Sequence, residues 1–244
     1  MSKLLSLLAK IFLMSIILLM TGMGCANVVN KLEYKLLPTE SILLTPDNTI
    51  NLRSVVTDES VKQVMDTINN LRSKDEKKTL YLVINSPGGS IAAGMDLIRF
   101  LDTQDNIKTI TIFAASMASA IVEAYPGERL MTSDATFMFH RASGTFSGYF
   151  NDGEVESRLA QAKKIVDIME EHNYSRIGIS KSKYKELVKA EWWIVGADNI
   201  KQNIADRVVK IKCNKELTKQ KIKVEVQTFF GPIMSEVPAC PLLN

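Results

Sequence analysis

A serine and a histidine in this chain have the types and the spacing of a nucleophile and its base. Ser116 follows a β-branched, apolar run at 108–113 and precedes a run of small apolar residues at 117–125. That change of pattern predicts a turn from a strand into a helix, and the free N–H groups at the start of such a helix are suited to stabilise an oxyanion. Serine is also a common helix cap, so its position alone does not make Ser116 a nucleophile.

The base is expected to be His140, which lies 24 residues after Ser116 and ends a predicted strand at 136–140. A serine hydroxyl is a weak nucleophile unless a base accepts its proton, and neutral imidazole titrates in the useful range. The other histidine, His172, lies in a charged stretch of a predicted helix, where a solvated surface position is favoured. The Ser116 and His140 pair predicts a serine hydrolase, and the alternative for His140 is a buried structural role.

Two adjacent glycines, Gly88 and Gly89, separate a buried apolar strand at 80–85 from an amphipathic helix at 91–101. Glycine reaches positive φ without steric cost and lets a ligand approach the backbone N–H closely, as an oxyanion or acyl-binding loop requires. The same pattern is also ordinary turn chemistry. Another amphipathic helix is predicted at 58–71, and the helix–strand–helix–strand order predicts parallel strand pairing.

Together these features resemble the Clp protease proteolytic subunit, within the wider group of crotonase-like folds. The resemblance extends from about residue 40 to about residue 212 and rests on the segments 84–95, 115–117, 138–140 and 191–206. It implies a single α/β domain of the ClpP/crotonase-like type, with repeated β-β-α units and a protruding long helix. It also implies a serine endopeptidase that needs neither a metal nor an organic cofactor.

The resemblance assigns catalytic roles to five residues. Ser116 becomes the nucleophile, His140 the general base and Glu191 the acid that orients the histidine. The backbone N–H groups of Gly89 and Met117 become the oxyanion hole. These roles are carried over from the family motif, position by position.

The acid departs from the family pattern, which has aspartate where this chain has Glu191. Glutamate can hold a histidine tautomer as aspartate does, but its extra methylene requires the backbone to lie farther away. Asp152 and Asp198 are the alternatives if Glu191 points outward. The chain also lacks the usual glycine just upstream of the serine and has Arg-Ala instead of Gln-Pro at 141–142, which implies a different pocket and leaves the pairing of rings open.

The chain begins with a predicted export signal. Lys3 and Lys10 frame a short basic region, and the apolar core at 11–20 is too short to span a bilayer comfortably. The segment ends at Cys25 in a pattern that resembles the lipobox of bacterial lipoproteins, although Gly22 stands where an aliphatic residue is usual. Lipidation of Cys25 is favoured over ordinary signal cleavage or an uncleaved anchor.

The chain is therefore divided into residues 1–24 as a lipoprotein-type signal peptide, 25–39 as a tether, 40–212 as the peptidase domain and 213–244 as a C-terminal extension. The expected location is the bacterial cell envelope, on the periplasmic face of the outer membrane, because Ala26 replaces the aspartate that retains inner-membrane lipoproteins. A soluble periplasmic or secreted protein is the alternative. In the extension, alternation near residue 226 predicts an edge strand, followed by a surface loop to which no function is assigned.

Composition limits the remaining binding classes. Cys213 and Cys240 are expected either to form a disulfide in an oxidising envelope or to remain two free thiols. Neither cysteine lies near a histidine or a second cysteine at ligand spacing, so no metal site is expected. The formal net charge of +3 is spread without a long basic block, so no nucleic-acid partner is expected.

The expected substrate is a peptide or an unfolded protein. A long helix is predicted at 154–178 and carries one apolar stripe: Val155, Leu159, Ala162, Val166 and Met169. The resemblance makes it the handle helix through which a homo-oligomer assembles, whereas plain core packing is the alternative. An ATPase partner is left undecided, because export would separate the chain from ATP.

Three other functions compete with the peptidase. A catalytically silent assembly or binding protein would result if Glu191 failed to orient His140. A crotonase-like acyl-thioester enzyme would hold its oxyanion at Gly88 and Gly89, but the envelope lacks coenzyme A. The signal peptide peptidase A group uses lysine as its base, and a histidine at the expected strand end argues for the Clp type.

Overall fold

The fold is described by a computed structural model that covers residues 40–144, 149, 151–228 and 231–243. The predicted signal peptide at 1–24, the lipidation site Cys25 and the tether at 25–39 lie outside the described residues. Within the described part of the chain, no helix is both long enough and apolar enough to cross a membrane.

A mostly parallel sheet forms the centre of the domain. Its strands are β1 (Glu40–Leu44), β2 (Thr49–Leu52), β3 (Leu80–Ser86), β4 (Ile107–Ala115), β5 (Arg129–Phe139), β6 (Trp192–Val195) and β7 (Arg207–Cys213). Their order is β1-β7-β5-β4-β3-β2, and β6 pairs antiparallel with β5. The mixed α/β fold and the parallel pairing predicted from the order of elements are confirmed.

Helices connect the strands, as parallel pairing requires. They are α1 (Asp58–Lys74), α2 (Ile91–Leu101), α3 (Met117–Ala124), α4 (Asp152–Ile177), α5 (Lys181–Leu187), α6 (Asp198–Lys201) and α7 (Lys215–Lys219). Thr57 caps the start of helix α1, and its hydroxyl accepts a hydrogen bond from the N–H of Ser60 in a capping box. Helix α4 ends at Gly178, which adopts the left-handed conformation with φ of 82° that favours glycine.

The core contains both faces of the central strands, which therefore have nearly continuous apolar runs. Leu82, Val83 and Ile84 in β3 are all fully buried. Val83 belongs to a cluster with Ile110 and Leu130 of the neighbouring strands, and Leu217 and other residues of the C-terminal extension pack onto it. The extension is thus part of the folded core.

The C-terminal extension forms a hairpin of β8 (Lys221–Thr228) and β9 (Gly231–Pro238). The predicted edge strand is present, but the prediction of a surface loop after it is wrong for β9, because each residue of β9 pairs with β8 in a continuous antiparallel register. A disulfide joins Cys213 at the end of β7 to Cys240 after β9. Of the two states left open for these cysteines, the protein has the cross-linked one.

Candidate active site

Ser116 occupies the turn between β4 and α3 in a conformation that few residues other than glycine adopt. Its φ is 56° and its ψ is −123°, so the turn holds backbone strain. Its N–H donates to the carbonyl of Met138 at 2.9 Å, which ties the turn to β5. The hydroxyl makes no capping hydrogen bond to α3, so the helix-cap alternative is wrong and the side chain is free for another role.

The glycine turn after β3 lies directly against this serine. A Cβ atom added to Gly88 would lie 2.4 Å from the carbonyl oxygen of Ala115 and 2.7 Å from Cβ of Ser116. Gly88 also has a φ of 87°, which disfavours any L side chain. The sequence feature that predicted a close backbone approach therefore packs against the turn that carries the candidate nucleophile.

His140 forms a hydrogen bond with Ser116, and the distance from its Nε2 to Oγ of the serine is 2.7 Å. The pair meets because β4 and β5 are parallel neighbours with Ala115 opposite Met138, so the residues that follow the two strands leave the sheet at the same edge. Serine and histidine separated by 24 positions in the chain are thus adjacent in the fold. This is the geometry that a general base needs in order to accept the hydroxyl proton.

The two predicted oxyanion donors border the same cavity as the Ser116 and His140 side chains. Met117 is the first residue of α3, where a backbone N–H has no partner within its own helix. Gly89 lies at the start of the segment that leads into α2, and its neighbour Ser90 donates to the carbonyl of Val56. Both residues therefore lie on the cavity that Ser116 also borders.

Glu191 lies beside His140 without a hydrogen bond to it. Both border one surface cavity, but the Glu191 carboxylate is exposed and accepts a hydrogen bond of 2.8 Å from Nε1 of Trp193. The alternatives lie elsewhere, since Asp152 is exposed in the first turn of α4 and Asp198 forms an ion pair of 3.3 Å with Lys201. Among the described residues, the only side-chain hydrogen bond of His140 is the one with Ser116.

The cavity beside Ser116 has a volume of about 110 Å³, and part of its lining was not anticipated from the sequence. Asn173 in α4 and Tyr184 in α5 border it and are both buried. Nδ2 of Asn173 donates to the Tyr184 hydroxyl at 2.8 Å. The sequence did hold a signal for Asn173, because it follows Met169 by one helical turn and therefore lies on the same, buried side of α4.

A buried charged cluster lies at the other end of α3 and was also missed. Glu123 is fully buried in the last turn of α3 and accepts a hydrogen bond of 2.7 Å from Arg129, the first residue of β5. Arg129 also donates to Asp206 at 2.7 Å. Burial raises the pKa of Glu123 to about 8, and the nearby Arg129 opposes that shift.

No group of three or more histidine, cysteine or acidic side chains in the described part of the chain is placed to hold a metal ion. His172, the second histidine, is half-buried in α4 and does not border the Ser116 cavity. The residues brought together are therefore Ser116, His140, Gly89 and Met117.

The fold and the site define an α/β protein with a hydrogen-bonded serine and histidine at the carboxyl edge of a parallel sheet. A model of the Clp protease family matches residues 39–212. The chain belongs to the Clp protease family, which supports a peptidase, and so a hydrolase, of the Clp type.

Three relatives illustrate the similarity. The ATP-dependent Clp protease proteolytic subunit of Borreliella afzelii is 29% identical over 173 residues, which cover 68% of this chain and 85% of the relative. The ATP-dependent Clp protease proteolytic subunit 1 of Leifsonia xyli is 35% identical over 135 residues, which cover 52% of this chain and 68% of the relative. The ATP-dependent Clp protease proteolytic subunit of Streptococcus mutans is 26% identical over 174 residues, which cover 68% of this chain and 87% of the relative.

Proposed function

We propose that this protein is a serine endopeptidase of the Clp proteolytic subunit type that cleaves peptides or unfolded proteins in the cell envelope. The observation that carries the proposal is the hydrogen bond of 2.7 Å between Nε2 of His140 and Oγ of Ser116. Family membership supplies the peptide-bond chemistry. The strained serine turn and the adjacent Gly88 supply the surroundings that such a nucleophile needs.

In the proposed mechanism, Oγ of Ser116 attacks the carbonyl carbon of the scissile peptide bond while Nε2 of His140 accepts its proton. The oxyanion that forms is stabilised by the backbone N–H groups of Gly89 and Met117. His140 then gives its proton to the departing amine, which leaves Ser116 acylated. A water molecule that His140 deprotonates hydrolyses the acyl-enzyme and restores the serine.

Glu191 is proposed as the acid that orients His140. The support is its position on the cavity that His140 also borders and its correspondence to the family's acid. Its carboxylate would have to exchange the hydrogen bond from Trp193 for one from Nδ1 of the histidine. The Ser116 and His140 contact, which is already formed, does not depend on that exchange.

A homo-oligomer is proposed, built through α4. Val155 and Leu159, in the first half of the predicted apolar stripe, are 45% and 42% exposed, whereas Met169 in the second half is buried. Plain core packing therefore accounts for the second half only. Exposed apolar side chains on a protruding helix are typical of a surface that another protein covers.

The proposed location is the cell envelope, with Cys25 lipidated and the protein held at a membrane by that lipid. The Cys213–Cys240 disulfide supports an oxidising compartment. Metabolic labelling of producing cells with an alkyne analogue of palmitate is expected to mark the wild-type chain but not Cys25→Ser. Equal labelling of the two would contradict lipidation at this residue. Because ATP is absent from the envelope, the substrates are expected to be peptides or segments that are already unfolded.

A fluorophosphonate probe tests the catalytic proposal, since it reacts covalently with an activated serine. We expect the full-length chain to be labelled, and we expect Ser116→Ala and His140→Ala each to abolish labelling. His172→Ala is the matched control and should label like the wild type. A wild-type oligomer that is not labelled would contradict the autonomous peptidase and favour a catalytically silent assembly or binding protein.

A further inference from the structure

The cavity beside Ser116 is lined by both apolar and polar side chains. Ile91, Phe139 and Met169 border the cavity together with Asn173 and Tyr184. Ser116 and His140 lie on the same cavity. A substrate that acylates the serine would therefore place its adjoining side chain next to this cavity.

Asn173, which borders this cavity, has a buried hydrogen-bonding group without a partner among the described residues. The residue is only 2% exposed, and its Oδ1 has no hydrogen-bond partner within the part of the chain that the structure describes. Its Nδ2 is occupied, because it donates to the hydroxyl of Tyr184 at 2.8 Å. A buried acceptor without a partner costs roughly 1–3 kcal/mol, and a ligand that donates to it recovers that cost.

Tyr184 supplies a second hydrogen-bonding group next to Asn173. Its side chain is 1% exposed, and burial raises the pKa of its hydroxyl, which remains protonated at neutral pH. Since the hydroxyl accepts the bond from Asn173, its own hydrogen is still available for donation. The two residues thus hold an acceptor, Oδ1 of Asn173, and a donor, the O–H of Tyr184, that no described residue uses.

We infer that this pocket selects a substrate residue with an unbranched apolar stem and a primary amide tip, namely glutamine, on the acyl side of the scissile bond. The amide N–H₂ would donate to Asn173 and the amide oxygen would accept from Tyr184. Rotating the Asn173 amide exchanges its donor and acceptor, and a primary amide matches either arrangement. The inference rests on the proposed function, because it names the substrate class of that same site.

Size and charge also favour a neutral amide. The cavity volume of about 110 Å³ suits one side chain of medium length. A carboxylate tip could accept from Tyr184, but it would bring its second, charged oxygen against the acceptor Oδ1 of Asn173 and would lose its hydration. An ammonium tip would have to lose its hydration shell to reach an acceptor that carries no charge, which costs more than burying an amide.

The test uses fluorogenic peptides that differ only at the residue before the scissile bond, with glutamine, glutamate, methionine and lysine compared. In the wild-type oligomer, kcat/KM for glutamine is expected to exceed that for methionine by about tenfold to a hundredfold. Glutamate, of similar length, is expected to be cleaved more slowly than either. Methionine at least equal to glutamine, or lysine above glutamine, would overturn the inference.

Asn173→Leu removes the amide at nearly constant volume and is expected to reverse the order, so that methionine exceeds glutamine. The matched control is Asn70→Leu on the exposed face of α1, which should keep the glutamine preference. A glutamine preference that survives in Asn173→Leu would contradict the role of this residue. If Asn173→Leu is not labelled by the fluorophosphonate probe, Tyr184→Phe replaces it, and that variant is expected to lose most of the preference.

Labelling with the fluorophosphonate probe distinguishes a failure of the glutamine preference from a failure of the serine peptidase itself. Wild-type protein that is labelled at Ser116 but does not favour glutamine would overturn the specificity inference and leave the serine peptidase intact. Wild-type protein that is not labelled would overturn the peptidase. Binding of product peptides ending in glutamine or methionine to Ser116→Ala then tests the pocket without catalysis, with tighter binding of the glutamine peptide expected and equal binding contradicting the inference.

Discussion

The proposed role of His140 as a general base depends on which side chain orients its imidazole. The hydrogen bond to Ser116 is formed, while the proposed acid, Glu191, accepts its hydrogen bond from Trp193. An exposed indole N–H and a histidine N–H would therefore compete for one carboxylate. The role of Glu191 can therefore be tested by changing either Glu191 itself or Trp193.

Glu191→Gln is expected to lower kcat for a peptide substrate by about 10²- to 10⁴-fold, because an amide no longer stabilises the imidazolium. Trp193→Phe is expected to raise kcat, because it removes the donor that now holds the carboxylate. Steady-state kinetics of both variants provide the measurement. Asp198→Asn is the control, as its carboxylate is paired with Lys201. Undiminished kcat in Glu191→Gln would exclude this residue as the acid.

Gly88 is a second position at which the site tolerates no side chain, because a single added Cβ atom would collide with the turn that carries Ser116. Gly88→Ala is expected to destabilise the fold by more than about 1 kcal/mol and to abolish probe labelling of Ser116, because its Cβ would lie 2.4 Å from the Ala115 carbonyl oxygen. Urea unfolding and fluorophosphonate labelling measure the two effects. Gly153→Ala in α4 is the control, since its Cβ would come no closer than 3.5 Å to Oδ1 of Asn151. Normal labelling of Gly88→Ala would show that the turn tolerates a side chain.

Helix α3 and strand β5 are joined at the end opposite the serine by a buried hydrogen bond between Arg129 and Glu123. Arg129 bonds Glu123 of α3 and Asp206 before β7, each at 2.7 Å. The network links α3, which begins after Ser116, β5, which ends before His140, and the segment before β7. Removing one of these partners would leave a buried polar group without its hydrogen bond, which is costly.

The raised pKa of Glu123 predicts a particular dependence of stability on pH. Burial, opposed by Arg129, raises this pKa from its ordinary 4.5 to about 8. The folded protein therefore keeps a proton that the unfolded chain releases, so this contribution to the free energy of unfolding is fully present below pH 4.5 and is lost as the pH rises to about 8. Glu123→Gln, which cannot ionise, is expected to flatten the decline between these values.

Urea unfolding at several pH values between 4.5 and 8 measures this effect. The matched control is Glu171→Gln, a change at an exposed position of α4 that should leave the pH dependence of the wild type unchanged. A Glu123→Gln variant with the same pH dependence as the wild type would contradict a raised pKa for Glu123.

At the scale of the whole molecule, the C-terminal extension packs against the central sheet. Ala239 and Cys240 belong to the buried cluster that includes Val83. Arg53 donates to the carbonyl of Pro238 at 2.7 Å. The disulfide from Cys213 closes a segment of 27 residues, so it restricts the unfolded chain as well as holding the extension in place.

Loss of that disulfide is expected to lower the free energy of unfolding by about 3–4 kcal/mol, the loop-closure value for 27 residues. Thermal unfolding with and without dithiothreitol provides the measurement. The double variant Cys213→Ala/Cys240→Ala should be less stable than the wild type and insensitive to the reductant. Equal stability of oxidised and reduced wild type would show that the cross-link does not stabilise the fold.

Assembly is the other property of the whole molecule that a substitution can test. Leu159→Glu places a charge in the exposed apolar stripe of α4 and is expected to shift the protein to a smaller species in size-exclusion chromatography with light scattering. Gln161→Glu adds the same charge at an exposed polar position of the same helix and should leave the mass unchanged. An unchanged mass for Leu159→Glu would place the assembly surface elsewhere.

The local sequence determined the central elements and the candidate nucleophile. Apolar runs, glycine turns and helical spacing act over a few residues, so they predicted the parallel strands, the turn at Ser116 and the strand that ends at His140. Only the tertiary structure decided what surrounds them. The bond of Arg129 to Asp206 spans 77 positions, and Asn173 meets Tyr184 only where two helices pack together. These contacts depend on how distant elements are placed against one another, and periodicity along the chain carries no information about that placement.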